Sequence, residues 1–143
     1  MDIHINGWAV FVSAVVYFVI GGLWYSVLFG KTWSKLMGFD KLGKKEKAKR
    51  MEKAKVSYSV FFVASLLTAY CLAHSVLSGS SFYRISGAPA GLQAGFWTWL
   101  GFILTTQVNS VLWDQKPLKL FFINIGYYLV SFLAMGTILA VWP

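Results

Sequence analysis

The stretch "KKEKAKRMEKAKVSYSVFFVASLLTAYCLAHSVL", Lys44 to Leu77, changes character once, at Val56. Before that point it carries seven Lys or Arg and two Glu; after it there is no ionisable acid or strong base. No Gly or Pro interrupts it, and Glu46/Arg50 and Glu52/Lys55 stand at helical spacing. The stretch predicts one continuous helix starting near Lys44. Its basic end stands in water and its apolar part, 56–77, is long enough to cross a bilayer.

Working outward, three further blocks share that apolar character: 8–29, 92–113 and 118–142. Lys119, at the edge of the last, is the one Asp, Glu, Lys or Arg within any of the four blocks. The chain as a whole is 57% hydrophobic, 18% aromatic and 13% charged. A soluble domain carries about 25% charge, because its surface must face water. The expected fold is therefore all-α. It is an antiparallel four-transmembrane-helix bundle in one domain, 1–143, with a basic segment over 30–55 leading into the second span.

The net charge of +8 is not a nucleic-acid signature once it is mapped. Ten of the thirteen cations fall between Lys31 and Lys55, against Asp40, Glu46 and Glu52. Lys116 and Lys119 flank the third connection, and Arg84 alone lies in the second. The positive-inside rule then places both basic connections in the cytoplasm and both chain ends outside. Lys44, Lys45, Lys47, Lys49 and Arg50 form a patch with two readings: it only sets the topology, or it also attracts anionic lipid headgroups, each cation adding about 1 kcal/mol near the surface. The expected partners are the lipid bilayer and a second copy or another membrane protein, with no nucleic acid.

A cleaved secretory signal is not expected at the first block, since "MDIHING" before it has no Lys or Arg. Asn6 is placed to cap the first helix. Trp24, Tyr25, Phe29 and Trp33 mark the inner membrane interface, where aromatic rings gather. Pro89 and Pro117 suit the first turns of the third and fourth helices. Small residues suggest where helices approach closely: Gly21 on the first, the GxxxG pair Gly91/Gly95 on the third, and the Gly126, Val130, Ala134 stripe on the fourth. The last two sets are the expected contact surfaces between protomers.

The third block contains "LTTQVNSVLWD", Leu104 to Asp114, in which five side chains need hydrogen bonds that lipid cannot supply. Gln107 and Asn109 project to nearly opposite sides of a helix, so the third helix is expected to be central, touching helices on several sides or another protomer. Folding the hairpin brings Gln107 level with Asn124. Two readings follow. Gln107, Asn109 and Asn124 join helices by amide contacts, or, with Thr105, Tyr127 and Tyr128, they line an inner-leaflet vestibule for a small solute or ion.

Other chemistries find little support. No acidic residue lies well inside a span, as a proton-coupled exporter commonly needs. There is no nucleophilic triad, glycine-rich phosphate loop or paired carboxylate, so no enzyme is expected. Cys71 is the single cysteine, which excludes an intrachain disulfide. His4, Cys71 and His74 on the outer side are the only conceivable haem or metal ligands. Three candidates without a fourth make a poor structural site, and no cofactor is expected.

Two segments carry a resemblance: "GGLWYSVLFGKTW" (21–33) and "GLQAGFWTWLGFILTTQVNSVLWDQKPLKLFFINIGYYLVSFLAMGTILAVW" (91–142). The chain resembles a family of small four-span bacterial membrane proteins known as domain-of-unknown-function family 1761. The resemblance implies a bacterial inner-membrane home and a single four-helix domain, and it brings no catalytic or binding residues. The functional expectation is a non-enzymatic helical bundle that associates with itself or a partner. The alternatives are the solute pathway and, third, a haem or metal protein.

Overall fold

A computed structural model describes residues 4–143, and among them there is helix and connecting backbone but no strand. Helix α1 (Gly7–Leu23) is capped by Asn6, whose side chain accepts from the Trp8 and Ala9 amides. That satisfies two of the amides a helix start leaves free. The chain widens into a π-helical turn, Trp24–Leu28, then kinks at Phe29 into the short α2 (Gly30–Leu36). Gly38, at φ 75°, ends α2 in the left-handed conformation that glycine adopts without strain. A 3₁₀ turn over Phe39–Lys41 leads to α3 (Lys44–Tyr83), which begins at the residue the sequence reading expects.

Helix α3 has 40 residues, about 60 Å at 1.5 Å per residue. Arg84 closes it in the left-handed region, and Gly87, at φ 67° and ψ −155°, opens α4 (Ala88–Thr98). That pairing of angles is essentially restricted to glycine. A second π-helical stretch, Trp99–Leu104, joins α4 to α5 (Thr105–Leu112). Pro117 stands at the N-cap of α6 (Leu118–Val141).

Three helical runs are long and apolar enough to cross a membrane: Gly7–Leu28, Lys44–Tyr83 and Leu118–Val141. The expected third block, 92–113, is not one α-helix. It is α4 and α5 with six π-helical residues between them. The wider turn keeps a continuous helical path but breaks the regular 3.6-residue period, which hydropathy does not reveal.

The hub of the structure is α6, which packs on α1, α3, α4 and α5, most extensively on α4. This corrects the expectation that the third helix is central. The reason lies in how the third column satisfies its polar groups: Thr105, Thr106 and Ser110 hydroxyls bond to carbonyls of their own helical run. They need no neighbours on several sides.

Close approach of α4 and α6 depends on missing side chains. A Cβ on Gly91 or on Gly136 would overlap the other's backbone, and one on Gly95 would overlap the Phe132 carbonyl. Without a hydrophobic drive between helices in lipid, such backbone contact is a main source of cohesion. Gly91 and Gly95 are therefore spent inside the protomer and are not free for the contact between protomers that the sequence suggests. Gly126 is occupied likewise, against the Trp24 ring, while Val130 is exposed and Ala134 half-buried.

The pairings Gly91–Gly136 and Gly95–Phe132 run α4 antiparallel to α6, and Gly21–Tyr127 with Asn6–Pro143 does the same for α1 and α6. Residues 24–44 and 113–118 thus share one end of the molecule, and Asn6 and Pro143 share the other. Large apolar side chains face outward on every column: Val27 is 74% exposed, Leu67 64%, Phe102 70% and Phe122 58%. An apolar surface on this scale marks contact with lipid or protein.

Candidate functional site

The basic end holds most of the paired polar chemistry. Each π turn opens on a tryptophan, and each indole donates to α6: Trp24 Nε1 to the Ile123 carbonyl and Trp99 Nε1 to the Ile125 carbonyl, both at 2.9 Å. One turn further, the Tyr25 hydroxyl donates to Asn124 Oδ1 at 2.8 Å, and the Tyr127 hydroxyl to the Tyr17 carbonyl at 3.2 Å. Gly21 makes the last bond possible, because a Cβ there would stand 3.0 Å from the Tyr127 oxygen.

The rings continue as a ladder. Tyr17 stacks on Tyr127 at 5.5 Å and 11°, Tyr127 meets Tyr25 edge-on at 5.2 Å, and Tyr25 meets Trp33 at 5.6 Å. Trp33 stacks on Phe39 at 5.2 Å, and the Arg50 guanidinium sits 4.7 Å above the Phe39 ring. Aromatic pairs at such separations each add about 0.5–1.5 kcal/mol beyond area burial. The basic part of α3 thus touches the turn that follows α2 through Arg50 and Phe39, and is otherwise exposed.

Two clefts border this ladder. One of about 420 Å³ lies between α1 and α3, walled by Phe18, Gly22, Tyr25, Phe61 and Tyr128. The other, about 690 Å³, lies between α2 and α3 and carries Lys47, Arg50 and Lys53. They share Trp33, Ser57 and Tyr58.

The structure brings only part of the sequence-predicted vestibule together. Asn124, Tyr127 and Tyr128 belong to the cluster. Gln107 is half-buried outside it, Asn109 is exposed, and Thr105 is exposed and bonded to the Gly101 carbonyl at 2.7 Å. The amide partner of Asn124 is Tyr25, on the first helical column, and not Gln107. Trp24 and Tyr25 were missed as site residues because aromatic rings near a span end read equally well as an interfacial belt; Tyr17, in mid-span, carries no signal beyond a packing position.

Of the basic patch, Lys47 and Arg50 line the larger cleft and Lys44, Lys45 and Lys49 do not; Lys53 joins the first two. Cys71 and His74 are exposed on α3, with His74 packed on Tyr70 at 4.7 Å. His4 borders a small recess beside Ala73 and Leu77. Among the described residues no three His, Cys, Asp or Glu side chains gather as metal ligands. The arrangement offers hydroxyls, amides, cations and ring faces.

Comparison with known proteins adds one match. The profile of a family described as "Protein of unknown function (DUF1761)" matches residues 8–140. No curated protein and no solved structure matches the chain.

Proposed function

The chain belongs to the DUF1761 family, and from that premise we propose that it is a non-enzymatic, four-span protein of the bacterial inner membrane that associates with itself or a membrane partner. Its fourth crossing is the helical path 88–112, close to the ~20 residues a bilayer core requires. The basic end faces the cytoplasm and both chain ends lie outside.

One observation carries the reading. Outward apolar side chains cover every column, while all connections and charges are segregated to two ends. The interior supports binding or packing in preference to catalysis, since it is filled by Tyr17, Tyr127 and Phe132, each 5% exposed or less.

Cysteine labelling in intact cells tests the orientation. In a Cys71→Ser background, Lys45→Cys is expected to resist an impermeant reagent and Ser81→Cys to react. The reverse pattern would overturn the topology. Cross-linking in native membranes tests association, and a mass that stays monomeric at every protein-to-lipid ratio would remove that half of the proposal.

A small-solute pathway is the second reading, supported by the 420 Å³ cleft that reaches Tyr127 and Tyr128. Reconstituted vesicles that show no flux of small neutral solutes or monovalent cations would dismiss it.

A further inference from the structure

The two clefts at the basic end share Trp33, Ser57 and Tyr58, and their linings together follow α3 from Lys47 to Phe61 as a trough in two parts. Its wall changes chemistry in a fixed order. Lys47, Arg50 and Lys53 come first, with no carboxylate in the lining, then the Ser57 hydroxyl and Tyr58, then Phe61 beside Phe18. At 100° per residue positions 47, 50, 54, 57, 58 and 61 fall on one broad helix face, with Lys53 at its edge. A phospholipid of the cytoplasmic leaflet has the same order: phosphate outermost, glycerol esters below it, hydrocarbon inward.

The cations are also positioned. Arg50 lies over Phe39, which is stacked on Trp33. A ring contact of this kind uses the guanidinium face and leaves its edge N–H groups for forked bonds to a phosphate. Non-specific attraction to a charged membrane would draw on every cation of α3 alike. The trough uses three of them.

We propose that this trough binds one anionic phospholipid, with its phosphate among Lys47, Arg50 and Lys53, its glycerol region at Ser57 and Tyr58, and one acyl chain lying along the packed pair Phe18 and Phe61, whose ring centroids are 5.8 Å apart. The assignment rests on the reading that this end of the molecule lies at the cytoplasmic leaflet. Gly22 borders the inner cleft with nothing within 4 Å of its missing Cβ, so the acyl end of the trough has space that a larger side chain would fill.

Native mass spectrometry of the full-length protein released from detergent micelles reads occupancy directly, with phosphatidylglycerol and phosphatidylcholine as probes. The wild type is expected to retain one phosphatidylglycerol and at least tenfold less phosphatidylcholine. K47Q/R50Q/K53Q is expected to lose about a hundredfold in retention, at about fivefold for each cation removed. K44Q/K45Q/K49Q removes the same charge outside the trough and is expected to stay within twofold of wild type. Gly22→Phe leaves the charge intact and is expected to lower retention through the acyl end. Glycerol 3-phosphate, which lacks a chain, is expected not to compete.

Equal losses in the two triple variants would reduce the site to diffuse attraction and overturn the proposal. So would equal retention of the two lipids, or full competition by glycerol 3-phosphate. Vesicle flotation separates this from the broader reading. Protein that floats but shows no lipid preference sinks the site alone, and protein that does not float sinks both.

Discussion

Trp24 and Trp99, on different helical columns, donate to α6 carbonyls only two residues apart, Ile123 and Ile125. Each opens a π-helical turn. The two wide turns therefore hold one short segment of α6 from both sides, directly beside the Tyr25–Asn124 bond. π turns commonly mark sites where a side chain must reach further than an α-helix allows.

Trp99 is buried and Trp24 half-buried. Replacing Trp99 by Phe removes the donor and is expected to cost about 1 kcal/mol, the typical net value of such a bond. Trp99→Ala is expected to cost about 3–5 kcal/mol through the cavity it leaves. Reversible unfolding in mixed micelles measures both, and equal costs would show that the indole bond carries the whole effect.

Tyr25→Phe leaves Asn124 Oδ1 without its partner, at an expected cost of about 1–3 kcal/mol. Asn124→Leu added to it is expected to restore most of that loss, since replacing both partners by apolar groups is nearly neutral. The coupling comes from a double-mutant cycle of unfolding free energies. Simple additivity of the two changes would show that the bond has no energetic weight.

Gly91→Ala places a methyl into the Gly136 backbone, which cannot swing aside as a side chain can. The expected loss is about 1–3 kcal/mol, as for other overpacking changes. Gly79→Ala on α3 meets nothing within 4 Å and is expected to stabilise by about 0.4–1 kcal/mol. Thermal denaturation in one detergent compares them, and a harmless Gly91→Ala would refute the close α4–α6 contact.

Asn109 is exposed, so Asn109→Ala is expected to change stability by less than about 0.5 kcal/mol. The same unfolding assay checks this. A loss comparable to that of Tyr25→Phe would restore Asn109 to the interior polar network.

Much of the architecture is legible in sequence where a local signal is strong. The Asn6 cap, Pro89 in the first turn of α4, the start of α3 at Lys44 and three apolar runs each have a short-range physical cause. The π turns have none: "WYSVL" and "WLGFIL" look like ordinary apolar helix, and the widening becomes favourable only once α6 presents carbonyls to Trp24 and Trp99. The site was misjudged for a related reason. Hydroxyls of Thr105 and Thr106 found acceptors within their own helical run, so the polar cluster of the third column did not have to face α6. Tyr25, from a segment that reads as interfacial, took the role assigned to Gln107.

Helix α3 runs unbroken from the packed surface around Ala73 to the charged tip at Lys44. That span is about 44 Å at 1.5 Å per residue. A stiff rod of this kind is a lever: pivoting by about 5° at Ala73 would sweep its tip through about 4 Å. Small rearrangements among the helices around Ala73 are thereby delivered, enlarged, to the charged end of α3.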